Sequence, residues 1–460
     1  MMDLSTAELV TYEPDAEAPA ALATPPAARV LRERLVETFE RHVRIDSASD
    51  RGATELPTTA EQRVFAEVLA DDLRGLGCEA VAVDAWANVS GRLRGRAPGP
   101  PVLLSAHLDV VDVAPCTGIM PVCHQYAGGA LAVSAERGLV IAAEQLAPYV
   151  GDLLVTSDGR TLLGADDKLG IAEVLHAVRA LRVQAVPHPD LYVVFYADEE
   201  TGLHGAKRFD LEGLLGSVPL ADVLAVETEI PEAGKILLET YNADAVTITV
   251  QGQSKHPAIE PERIVSSSVL VAEIVQALQP YRPLAAGAPA YLLVTDTHTD
   301  QSRGRLRLIA RAFDPADLER QHAALPPLVR SVLKRHYAVY PDLLTHLDDL
   351  WEIEVVREYR NPRLSSDDPQ VQLVAMAGRA AGLPVEMVRL GGGVDGSALA
   401  ERGLKVVTIG NASTFSHSLL ELASIDKAHQ VAAQLFYVVQ LAARLAPSSG
   451  SQPSAAASDS

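Results

Sequence analysis

Histidine and carboxylate residues recur in this chain at points where a metal ion could be held. They are His107 and Asp109 in His107-Leu108-Asp109, Asp166 in Gly164-Ala165-Asp166-Asp167-Lys168, Glu199 and Glu200 in Asp198-Glu199-Glu200, Glu227 in Val226-Glu227-Thr228, and His417. Two imidazoles with three carboxylates make a mixed nitrogen and oxygen donor set suited to zinc, with cobalt or manganese as alternatives. If one carboxylate bridges, two ions sit ~3.5–4 Å apart, the arrangement with which hydrolases hold and activate water. Asp109 follows His107 by two residues and projects to the same side of a strand, where it can orient the imidazole. Glu199 and Glu200 are adjacent, so one can bind metal while the other acts as general base. Each residue has a plainer reading in isolation. Asp166 and Asp167 suit the first turn of a helix through its dipole, a Glu pair commonly ends a strand in solvent, and a lone histidine is more often structural. Their shared position along the fold decides between these readings.

That position comes from the apolar runs. The run 101–106 ends on His107, the run 191–197 on Asp198-Glu199-Glu200, the run 223–226 on Glu227, and the run 405–410 leads through a short Ser/Thr loop to His417. Asp166 opens a helix in which Leu169, Ile171, Val174, Leu175, Val178 and Leu181 recur at helical spacing. Strand-like runs alternating with helical patterns predict an α/β domain with a mostly parallel sheet. In such sheets ligands gather outside the carboxyl ends of the strands, where these residues fall.

From 244 to 360 the character changes. Residues 245–250 alternate as a strand with one wet face should. Helices over 264–278 and 315–339, with strands near 291–295, 305–313 and 351–359, predict a smaller α+β domain inserted into the first. The expected layout is a mobile tail over 1–27, a catalytic domain from 28–243 and 361–446, the inserted domain at 244–360, and a disordered Ser/Ala-rich tail over 447–460.

Composition narrows the class. The chain has 460 residues, enough for two domains, and a formal net charge of −21, which argues against nucleic acid or an anionic membrane as partner. Its three cysteines form no CxxC pair, and no apolar run reaches the length of a membrane span. The acidic N-terminus lacks the basic opening of a secretory signal. A cytoplasmic enzyme is expected. His176, His188, His204, His322, His336 and His346 have no partner at metal spacing and read as structural or exposed.

Four stretches carry a family resemblance: His107-Leu108-Asp109-Val110-Val111, Gly164-Ala165-Asp166-Asp167-Lys168, Asp198-Glu199-Glu200-Thr201-Gly202 and Gly393-Val394-Asp395-Gly396. Together they resemble the co-catalytic zinc peptidases that include aminoacylase and glutamate carboxypeptidase. Residues 156–168 look most like the peptidase T, or tripeptide aminopeptidase, branch. The resemblance implies two Zn2+ ions, with His107 and Glu200 on separate metals, Asp166 bridging and His417 a further ligand. It implies Glu199 as base, Asp109 as the orienting carboxylate, and His256, before Pro257 in the inserted domain, as the group that steadies the tetrahedral intermediate. Glu227 is expected as the fifth ligand because it ends a strand, with Glu229 competing. The implied reaction is hydrolysis of small peptides, a bridging water being activated by Glu199 and the two metals, in an enzyme that can dimerise through the inserted lid.

One departure bears on substrate. The late loop of peptidase T carries an Arg that holds the peptide carboxylate, and Gly391 stands in its place. Arg311 and Arg389 are candidate replacements, and Asp395 is a further candidate contact. An N-acyl amino acid hydrolase, or a metal-containing peptide binder without turnover, are the alternatives. The Gly391-x-Gly393-x-x-Gly396 pattern also matches a dinucleotide fingerprint, but the following strand ends at Asn411 with no acidic residue for a ribose.

Overall fold

The computed structural model describes residues 25–283 and 288–445. Residues 1–24 of the expected first tail and all of 447–460 lie outside the described residues, whereas 25–27 open the first helix, Pro25–Val43. A proline suits that start, since its missing N–H has no partner in a first turn. The chain divides into two units: residues up to Leu238 with Pro362–Arg389 and the chain from Val394 onward, and Glu239–Asn361 with Leu390–Gly393.

In the first unit an eight-stranded sheet runs in the order Glu79–Val83, Val89–Leu93, Leu191–Tyr196, Val102–His107, Leu224–Ile230, Val406–Gly410, Lys235–Glu239, Glu386–Arg389. Val102–His107 pairs in parallel with Leu191–Tyr196 and Leu224–Ile230, which in turn pairs in parallel with Val406–Gly410. The α/β class expected from the sequence is what forms, with a mainly parallel central sheet. Every residue of these four strands is buried. A parallel sheet covered on both faces demands such continuous apolar runs, which is why they stood out in the sequence.

The helix Ala165–Gln184 packs on this sheet and against Pro25–Val43 and Ile425–Ala442. The sequence predicts a stripe, but burial runs around the whole helix and takes in Lys168, Glu173 and His176. Each of these has a partner: Lys168 Nζ donates to Ile45 O at 2.5 Å, Ala412 N donates to Glu173 at 3.0 Å, and His176 Nε2 lies 3.2 Å from His429 Nδ1.

Sequence pattern finds no strands between Asp112 and Asp152, yet Val122–Gln125, Leu131–Ser134 and Leu139–Ile141 are strands. They are three or four residues long and mostly exposed or half-exposed, too short for alternation to register. The first joins a small antiparallel sheet with Leu153–Thr156, Leu422–Ser424 and Ser413–Thr414. Leu422 opposes Thr156 and Ser424 opposes Leu154.

The second unit is a four-stranded antiparallel sheet in the order Ala290–Thr299, Arg303–Ala312, Asn242–Gln251, Trp351–Tyr359. Helices Ser267–Leu278 and Pro315–His336 share its core through Leu270, Ile274, Leu325 and Val329. Val246, Ile248 and Val250 point into this core while Thr247 and Thr249 stay half-exposed.

Burial of His176 sets an acid limit on stability. Burial first, with His429 and Arg179 nearby, pushes its pKa from 6.5 down to about 3. The folded chain therefore keeps this ring neutral while the unfolded chain protonates it as pH falls below 6.5, so stability drops on that side. At pH 5 the linkage amounts to ~2 kcal/mol. Urea midpoints should fall between pH 7 and pH 5, and His176→Leu should shrink that fall; an equal fall in both proteins counts against this account.

Candidate metal centre

His107 is the last residue of Val102–His107 and is buried. Its Nε2 lies 3.0 Å from Asp166 Oδ1. Its Nδ1 lies 3.2 Å from the carbonyl oxygen of Asp109 and 3.5 Å from the Asp109 carboxylate. That carboxylate reaches further than the sequence implied. It accepts the Glu199 N–H at 2.9 Å and the Glu200 N–H at 3.1 Å, so one buried side chain ties the ends of two neighbouring strands together.

Asp166 presents its oxygens to two histidines. Oδ1 faces His107, and Oδ2 lies 3.4 Å from Nε2 of His417. His417 also sits 2.8 Å from Glu200 Oε1. His107, Asp166 and Glu200 offer donor atoms that all lie within 4.8 Å of one another. The structure thus brings His107, Asp166, Glu200 and His417 into one cluster from separate segments of the chain.

Glu227 falls elsewhere. The sequence predicts a strand ending at Val226, but Leu224–Ile230 runs on and pairs with Val406–Gly410 as far as Ile230. Glu227 and Glu229 share a face, with Glu229 about 6–7 Å nearer the carboxyl end. Glu229 groups with His107 and Glu199, whereas Glu227 groups with Glu229 and Asp395. The Glu227 carboxylate accepts the Gly396 N–H at 3.0 Å and the Thr408 hydroxyl at 2.8 Å. Position 396 must be glycine for this contact, because a Cβ there would lie 2.9 Å from Glu227 Oε2. An acidic Glu-Thr-Glu segment reads as solvent-facing, and only its burial reveals that the strand continues.

The same contacts answer the glycine fingerprint. The helix Asp395–Glu401 begins with Asp395 N–H donating to Glu229 at 3.2 Å and Gly396 N–H donating to Glu227. Carboxylates occupy the amides that would have to receive a pyrophosphate.

The other candidates fall in both units. Asp395 is buried beside Glu227 and Glu229, and its two carboxylate oxygens have no hydrogen-bond partner. Arg389 ends the strand Glu386–Arg389 and is exposed. Arg311, in the second unit, pairs with Glu358 at 2.8 Å and stacks over Tyr359 at 5.6 Å. His256, also in the second unit, is exposed, and its Nδ1 accepts the Ala258 N–H at 3.2 Å. That contact leaves Nε2 as the ring nitrogen able to donate. Asp198 accepts the Thr58 N–H at 2.9 Å and Gln62 Nε2 at 2.6 Å, so it anchors the turn to the helix Ala60–Gly75.

Charge in the cluster is out of balance. Burial first, then neighbouring groups among which Glu200, Asp109 and Asp166 add to the effect, drives the Glu199 pKa well above its ordinary value. Burial with Glu227 and Glu199 does the same to Glu229, and burial with Glu199 and Glu227 does so to Asp395. Asp166 and Glu200 push His417 up to about 10. Burial opposes a charge on His107, but Asp109 and Asp166 outweigh it and hold its pKa well above the usual range. Carboxylates crowded against one another, with both imidazoles drawn toward cationic form, are satisfied by positive charge at their centre. Divalent ions fit that requirement, and imidazole with carboxylate is a donor set of zinc.

The chain is similar along most of its length to several known proteins. A peptidase T-like protein of Rhizobium meliloti (strain 1021) is 27% identical over 421 residues, covering 90% of this chain and 99% of the relative. Peptidase T of Aeromonas salmonicida (strain A449) is 29% identical over 408 residues, covering 86% and 95%. Among solved structures, aminopeptidase PepT from Bacillus cereus superposes with a TM-score of 0.67 at 20% identity, over 90% of this chain and 99% of that one. The YXEP protein of Bacillus subtilis, described as a dinuclear metal binding peptidase, does so with a TM-score of 0.57 at 15% identity, over 90% and 98%. Residues 103–440 match the peptidase family M20/M25/M40. The chain belongs to that family.

Proposed function

We propose that this protein is a two-metal exopeptidase that hydrolyses small peptides from their amino end. The observation that carries the reading is the division of Asp166 between two imidazoles, Oδ1 toward His107 and Oδ2 toward His417, with Glu199 in the same cluster. A carboxylate so placed suits a bridge between cations. His107, Asp166 and Glu229 would hold one ion, and Asp166, Glu200 and His417 the other; Glu229 takes the part that the sequence assigned to Glu227. When bound, two Zn2+ ions, or Co2+ or Mn2+ in their place, would polarise the scissile carbonyl and lower the pKa of water.

Glu199 is then the group that moves the proton. Asp109 fixes its backbone, and its carboxylate remains beside the donor cluster without being needed as a ligand. A carboxylate at this place can accept the proton of the attacking water and return it to the leaving amine. His256, with Nε2 able to donate, suits donation to the developing oxyanion. The names of the relatives, peptidase T and aminopeptidase PepT, support a free amino terminus as the recognised feature. No N-acyl-specific feature favours the amidohydrolase alternative, and Glu199 within the cluster speaks against a binder without turnover. With Arg311 engaged by Glu358, it is a poor carboxylate clamp. We place the enzyme in the cytoplasm, in keeping with the described residues, among which no helix is long and apolar enough to cross a membrane. Val355 and Val356 are exposed on the edge strand Trp351–Tyr359, which supports the second unit as a dimerising surface.

The deciding experiment pairs metal analysis with cleavage of di-, tri- and N-acyl peptides. Two equivalents of metal and release of N-terminal residues from unblocked peptides are expected; preference for N-acyl substrates would sink the exopeptidase reading. Glu199→Gln should keep the fold and both ions while turnover falls by about 10²–10⁴. Glu229→Ala should lose one equivalent of metal, whereas Glu227→Ala should keep two and lower Tm; the reverse pattern would return Glu227 to the ligand set. Asp109→Asn should weaken metal binding by about 10–100-fold in calorimetric titration, and an unchanged affinity would remove Asp109 from its orienting role.

A further inference from the structure

Glu421 is buried, with 2% of its surface exposed, at the end of the loop that carries His417. Its carboxylate is filled entirely by main-chain donors from a distant segment. Oε2 accepts Leu163 N–H at 2.9 Å and Gly164 N–H at 2.8 Å, and Oε1 accepts Asp166 N–H at 2.9 Å. These donors surround Asp166 itself, more than 250 residues earlier in the chain.

The two segments are already laid side by side by the sheet. Leu422–Ser424, directly after Glu421, pairs with Leu153–Thr156, which leads toward Asp166. Beyond that pairing both segments leave regular structure. Gly164 has φ of 73°, and Phe415 and His417 have φ of 58° and 60°. Non-glycine residues in the left-handed region must be held there by their surroundings. Within the His417 loop the internal support comes from Ser418, whose hydroxyl donates to Phe415 O at 2.7 Å, and from Glu421 N–H donating to Ser418 O at 3.1 Å. Between the two loops, Glu421 supplies three charge-assisted hydrogen bonds, the stronger class.

We infer that Glu421 is a positioning residue that sets the distance between Asp166 and His417 and so builds the second cation's seat; this rests on the two-metal reading above. A carboxylate is required because all three partners are donors. Glu421→Gln would turn an amide NH2 toward at least one N–H, leaving that pair in conflict.

The test is titration of metal-free protein with Zn2+ alone, beside the visible spectrum of the Co2+-loaded protein. Wild type should take two equivalents. Glu421→Gln should take one equivalent with near wild-type affinity and bind the second about 10–100-fold more weakly, with an altered Co2+ spectrum. Glu421→Asp keeps the charge but falls one methylene short of three donors, and should lie between the two; it serves as the readout if the Gln variant does not fold. A purely structural staple would lower Tm while leaving both affinities and the spectrum unchanged, and that outcome overturns the proposal. If wild type itself takes no Zn2+, the two-metal reading fails first and the positioning role with it; two equivalents bound with unchanged affinity in wild type and in both variants refutes the positioning role alone.

Discussion

Holding like charges together at one edge of a buried sheet is the constraint on which the first unit depends. Asp109, Glu199, Glu200 and Glu229 gather toward the carboxyl ends of strands of a buried sheet, Asp166 joins them from a helix start, Glu227 lies further back along its strand, and each would be costly there if left unpaired. The fold meets that cost by giving most of them fixed donors. Asp109 takes two backbone amides, Glu227 takes Gly396 and Thr408, and Asp166 faces two imidazoles. Asp395 has no such partner for its oxygens. What remains is a deficit of positive charge that bound cations would supply.

This arrangement explains why three of the proposed ligands, His107, Glu200 and Glu229, come from at or near strand ends. A strand buried on both faces cannot carry a carboxylate along its length without a partner, so charged residues collect where the sheet meets the crevice. Precision then comes from main-chain contacts rather than from the ligands. The amides of Glu199 and Glu200 are gripped by Asp109, and the amides around Asp166 by Glu421. Charge-assisted bonds of this kind hold a site rigid before any ion arrives, which limits the rearrangement that binding requires.

Much of this was legible in the sequence, for a definite reason. His107, Glu199 and Glu200 terminate long apolar runs, and a parallel core makes such runs conspicuous. Asp166 stands at a helix start, another position that pattern marks. Glu229 was harder to read because Glu227-Thr228-Glu229 looks like the polar end of a strand. The strand in fact continues, its carboxylates buried by pairing that only the folded sheet reveals. Glu421 left no local trace at all, since its partners are main-chain amides more than 250 residues away and amides have no sequence signature. The short strands between Asp112 and Asp152 escaped for want of length. The strand Asn242–Gln251 was legible because Val246, Ile248 and Val250 alternate against threonines.

The central claim is that Asp166 joins two cations, with Glu229 rather than Glu227 completing the set. Anomalous scattering from crystals of the Zn2+-loaded protein, collected on both sides of the zinc absorption edge, tests it most directly. Two peaks flanking Asp166 are predicted, one beside His107 and Glu229 and the other beside Glu200 and His417. A single peak, or a second peak bound by Glu227 and away from Asp166, would contradict the account.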